Sequence, residues 1–133
     1  MSRMSVIVRL AVGFACLFVG PAIFADNELF DARLAEAEEN LHAEGGAKFD
    51  VALSHSFKDS KPTLDAVRTC MESLIPKPSL TGYFYFSSTG GYSVEVRPAG
   101  VFATCIRGAY SGREVPEPPR RPYANQFVFN VSN

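Results

Sequence analysis

Cys70, Cys105, His42, His55 and the carboxylates of Glu114 and Glu117 are the side chains of this 133-residue chain best placed to do chemistry. The two histidines stand thirteen residues apart, and neither sits in a ligand motif, so surface or helix-end positions suit them better than a metal site. A serine nucleophile held on an elbow would read G-x-S-x-G, which does not occur. Glu114 and Glu117 are close enough in sequence for paired-carboxylate work, but nothing puts a cleft around them and the other acids are scattered. A cysteine–histidine pair would need a free thiol. Neither a catalytic residue, a cofactor nor a metal site is read from these residues.

Whether a thiol is free depends on where the chain goes. Arg3 and Arg9 lead into LAVGFACLFVG, an apolar run too short to span a bilayer comfortably, and PAIFA follows. A basic start, a short apolar middle and a small final residue describe a secretory signal peptide over 1–25, cleaved after Ala25. The competing reading is an uncleaved membrane anchor. Cleavage leaves 108 residues with eleven basic and fourteen acidic side chains, a net charge of −3. That is not the footprint of a nucleic-acid binder, and nothing remains to hold the mature chain in a membrane. Cys16 departs with the signal. The remaining pair, Cys70 and Cys105, in an exported protein reads most simply as a disulfide, the alternative being two buried thiols.

The elements that must position these groups follow in order. Asn27 can cap a helix through NELFDARLAEAEENLHAE, with Phe30, Leu34, Ala37 and Leu41 at helical spacing and Gly45-Gly46 as its stop. Its acidic side (Asp31, Glu36, Glu38, Glu39) reads as a solvated surface rather than a docking strip. Residues 47–61 stay open, since Phe49, Val51 and Leu53 alternate with Asp50 and Ala52 as a short edge strand would. Ser60 caps the next helix, which tolerates Pro62 in its first turn. Leu64, Val67, Met71 and Leu74 form its apolar stripe, with Cys70 beside it. Pro76 and Pro78 end that helix.

A hairpin comes next, GYFYFSS and YSVEVRP joined through Thr89-Gly90-Gly91. Phe84 and Phe86 belong in the core, with Tyr83 and Tyr85 on the outer face near Glu95 and Arg97. Either that tyrosine pair is an exposed binding platform, or the N-terminal helix covers it. A helix over Ala99–Tyr110 follows, burying Val101, Phe102, Cys105, Ile106 and Ala109. PEPPRRP must be an extended connector carrying Arg120 and Arg121, and Phe127, Phe129 and Val131 share one face of a last strand. Thr69-Cys70-Met71 through Pro76-x-Pro78 to FYF is echoed by Thr104-Cys105-Ile106 through Pro116-x-Pro118 to FVF. Two such units facing each other would bring the cysteines together. Asn130-Val131-Ser132 fits a glycosylation triplet, which a bacterial signal makes irrelevant.

Hairpin, Cys105-Ile106 helix, Val115-Pro116-Glu117-Pro118-Pro119 crossover, Tyr123 and a Phe127-Val128-Phe129 strand stand in an order that resembles the C-terminal domain of TonB-type energy transducers. The resemblance covers about residues 80–131. It departs where Pro78-Ser79-Leu80 replaces the opening Tyr-Pro pair, and it lacks the long proline-rich spacer. The resemblance implies a β-β-α-β fold and a protein-binding role, without energy transduction.

The expected fold is therefore α+β, with N-terminal helices packed on a small antiparallel sheet, a β-β-α-β C-terminal unit and one disulfide. After the signal peptide, 26–133 should form a single domain, mainly helical over 26–79. The expected function is a periplasmic, non-enzymatic protein of a Gram-negative bacterium that binds another protein. Its aromatic sheet face would consist of Tyr83, Tyr85, Glu95 and Arg97, with Arg120 and Arg121 at the rim. The alternatives are a periplasmic inhibitor or immunity protein against a toxin or hydrolase, and a small hydrolase.

Overall fold

The computed structural model describes residues 21–73 and 76–131. Most of the expected signal peptide, together with Leu74 and Ser132, lies outside the described residues. The first described helix, α1 (Pro21–His42), runs through the expected cleavage point after Ala25. The chain divides into two units, 1–32 and 33–133, with the division inside α1. The second unit holds the C-terminal part of α1 and every element after it. Among the described residues, no helix is long and apolar enough to cross a membrane.

The architecture is α+β. After α1 come α2 (Gly46–Lys58), α3 (Lys61–Ser73), β1 (Leu80–Phe86), β2 (Ser93–Arg97), α4 (Val101–Tyr110) and β3 (Tyr123–Phe129). The three strands form one antiparallel sheet in the order β2-β1-β3, so the last strand crosses over to pair with the first. This is the β-β-α-β order expected for the C-terminal half.

Residues 46–58 are a helix, where the alternation of Phe49, Val51 and Leu53 had suggested an edge strand. The deciding residue is Phe57. Phe49, Leu53 and Phe57 recur every four residues and are all buried, whereas Val51 points to solvent at 56 % exposure. Gly45 precedes the helix at φ 80°, a left-handed conformation that side chains disfavour. Phe49 packs edge-on against both Phe86 and Tyr123, and Phe57 stacks on Phe84, so α2 lies on the phenylalanine face of the sheet.

The cap on α3 is as expected: the Ser60 hydroxyl accepts from the Thr63 N–H at 3.3 Å. Its stripe is shifted, however. Thr63 and Cys70 are the buried positions, Val67 and Met71 are half-buried, and Leu64 is exposed. Cys70, 2 % exposed, is joined to Cys105 of α4 with Cα atoms 5.8 Å apart. The disulfide therefore ties the two helices together, the pairing expected of Cys70 and Cys105 from the sequence. In α4, Phe102, Ala103, Ile106 and Ala109 are buried, but Val101 is 72 % exposed because it begins the first turn.

One glycine in β1 is required by packing. A Cβ on Gly82 would come within 2.4 Å of the Glu95 carbonyl and 2.7 Å of the Phe127 ring. Phe127 lies over this gap and stacks on Phe84 at 4.7 Å.

Candidate functional site: the β3 edge and its groove

The six residues expected to form a binding face are spread over different tasks. Tyr83 and Tyr85 are on the outer face, opposite Glu95 and Ser93 of β2 as the pleat requires. Tyr83 is nevertheless only 5 % exposed, and the Arg33 guanidinium lies 3.9 Å above the Tyr85 ring centroid. Arg33 belongs to α1, so this helix covers Tyr85; an open platform over both tyrosines is not what forms. Glu95 and Arg97 are half-buried and face each other at 3.5 Å.

Arg120 and Arg121 are both engaged within the chain. Arg120 donates to the Asn40 side-chain oxygen and lies over the Tyr123 ring. Arg121 donates to the carbonyls of Ser87 and Gly91, at 2.9 and 3.0 Å, and pairs with both Glu117 oxygens. That pairing holds the Glu117 carboxyl below its usual range. The histidines stay apart from any cluster. His42 pairs with Glu38 along α1, and His55 is exposed on α2.

The opening in this unit lies elsewhere, along the free side of β3. A groove of about 340 Å³ runs between consecutive residues Asn125–Phe129 and the facing side of α2. Leu53, Phe57, Phe84, Tyr110 and Phe127 make an apolar, largely aromatic wall. Tyr110 sits edge-on to Phe57 at 4.9 Å, and burial pushes its hydroxyl above the ordinary value of 10.0, so it stays a neutral donor. Its position is secured through Tyr92, whose hydroxyl donates to the Tyr110 carbonyl at 2.5 Å and accepts from the Arg113 N–H at 2.9 Å. At the other end Asp50 of α2 accepts from the Asn125 amide at 3.2 Å.

The hydrogen-bonding phase of β3 follows from two side-chain contacts. Asn40 donates to the Ala124 carbonyl at 3.0 Å, so that carbonyl faces away from β1. In an antiparallel ladder outward-facing residues alternate with paired ones. Gln126 and Val128 therefore also direct their main-chain N–H and C=O groups outward. Among the described residues no hydrogen bond reaches these groups from elsewhere in the chain. Val128 is 56 % exposed. Asn40 thus closes the edge at Ala124 and leaves it open from Gln126 onward.

This site was missed by sequence reasoning because its two walls are far apart in the chain. Asp50 and Asn125 are separated by 75 residues. The available signal was the FVF segment, a strand at the end of a topology that leaves it at the sheet margin. Among the described residues no group of three histidine, cysteine or carboxylate side chains could hold a metal ion. Compared with known proteins, the chain matches no family model, no curated protein and no solved structure.

Proposed function

We propose that this chain is an exported, non-enzymatic protein that binds another protein by taking up an extended segment of it as a fourth strand beside β3. The observation that carries the reading is the outward-facing main chain of Gln126 and Val128 with an aromatic groove beside it. An added strand gains affinity from main-chain hydrogen bonds and selectivity from alternate side chains that enter a groove. The proposed surface thus lies at the margin of the sheet and not on the tyrosine face.

The groove's chemistry supports binding over hydrolysis. Ser54 lines it while its neighbour in the chain, His55, is exposed and lies outside the lining, and Asp50 is engaged with Asn125. Cys70 and Cys105 are consumed in the disulfide. A proline-flanked crossover and the order β1-β2-α4-β3 are also what the TonB-type resemblance implies, and that relationship remains part of the proposal.

A photo-crosslinking side chain placed at Gln126, with Thr104 on the exposed side of α4 as the control, tests this in cells. Adducts should form at position 126 and not at 104. Val128→Pro removes the outward N–H without breaking the β1 ladder. It should abolish the adduct while shifting stability by less than about 1 kcal/mol. Equal crosslinking at both positions, or capture that survives Val128→Pro, would rule out the edge.

A further inference from the structure

We infer that the segment taken up beside β3 carries a cationic side chain two residues from an apolar one, the cation seated at Asp50 and the apolar group against Phe57 and Tyr110. This rests on the strand-addition reading above and names the chemistry of the partner.

Side chains of neighbouring strands in register point to the same side of the sheet. Asn125 and Phe127 project on the phenylalanine face, toward α2, whereas Gln126 and Val128 project on the other. A residue of the incoming strand lying beside Asn125 therefore enters the groove at its Asp50 end. The residue two positions along lies beside Phe127 and meets the aromatic wall. The intervening residue points away. Spacing and character are thus set by the groove itself: charge, any residue, apolar.

The sign of the charge follows from the lining. Asp50 is the only charged side chain among the described residues that line the groove. Its Oδ1 accepts from Asn125, and among the described residues nothing donates to Oδ2. Asn125 is itself 5 % exposed, so it holds the carboxylate in place instead of letting it swing into solvent. A lysine or arginine would find a positioned acceptor there, and a carboxylate would meet a like charge with no cation nearby in the lining. A second copy of this chain fits less well. Its own free edge would present Gln126 and Val128 flanked by Phe127 and Asn125, with no cation to offer Asp50.

The test uses the purified, disulfide-bonded protein and blocked heptapeptides rich in threonine, in which lysine, norleucine or glutamate stands two positions from a leucine. Amide shifts at Gln126 and Val128 report docking, and titration gives the affinity. The lysine peptide should bind roughly fivefold more tightly than the norleucine one, with glutamate weakest. The preference should shrink with salt and vanish in Asp50→Asn. The order in the unaltered protein and its salt dependence decide the matter even if Asp50→Asn folds poorly. Equal affinities, or glutamate binding best, with shifts still at Gln126 and Val128, would overturn the cation and leave strand addition standing. No shift with any peptide would overturn both. Concentration-dependent loss of those same amide signals without peptide would assign the edge to a second copy and overturn the inference as well.

Discussion

The two margins of the sheet are built in opposite ways. β2 is five residues long and ends at Pro98, and its outward-facing residues by the ladder phase are Val94 and Val96. Both have buried side chains, and the Val96 carbonyl is taken by the Arg97 guanidinium at 3.1 Å. The next element, α4, packs against β2 and is stapled to α3. β3 is seven residues long, carries an exposed Val128, and has a groove alongside. A short strand ended by proline and covered by a basic side chain is a blunted edge; a longer one with open main-chain groups is an invitation to pair. One margin is closed, so among the described residues the sheet has a single margin where a strand can be added.

The largest effect should come from removing what holds the closed side. Replacing Cys70 and Cys105 with serine opens a loop of sequence separation 35. It should lower stability by about 3–4 kcal/mol on the chain-entropy account. A denaturant titration would show it, and the folded fraction should still dock at β3. If binding fell in the folded fraction, the two margins would not be independent.

Gly82→Ala acts on the strand between them. Its Cβ would force the Phe127 ring and the Glu95 carbonyl apart, at a cost of about 1–3 kcal/mol. Because Phe127 also lines the groove, this variant should lose binding as well as thermal stability. A stability loss with unaltered binding would remove Phe127 from the site.

Arg97→Ala is the smallest change and the most direct probe of the comparison. It frees the Val96 carbonyl and should alter stability by less than about 1 kcal/mol, since Arg97 is half-exposed. Sedimentation should then reveal weak self-association through β2 that is absent before substitution. A variant that stays monomeric at every concentration would mean that length and Pro98 alone close this side.

Much of the fold was legible because its signals are local. The Ser60 cap, the Thr89-Gly90-Gly91 turn and the Phe84/Phe86 alternation each need only a few neighbouring residues. The Cys70–Cys105 pair was legible for a different reason, since reading Cys16 as part of a signal peptide left a single pairing to expect. The segment 46–58 was not, because Phe49, Val51 and Leu53 suit a two-residue period as well as a helical one until Phe57 is counted. For Tyr83 the alternation identified the correct face of the sheet. Whether that face is open depends on packing across the chain, and no local pattern carries that. The site was least legible of all, being made by Asp50, Asn125 and the ladder phase revealed by Asn40.

Arg121 fastens the crossover to the β1–β2 turn by two carbonyls and to Glu117 by a carboxylate. The strand after it is thus moored at its start before any visitor arrives. Most of the disorder lost on docking would then be surrendered by the incoming segment, not by its host. Stiffening that segment, for instance by cyclisation into a hairpin, should tighten the complex far more than stiffening the protein further.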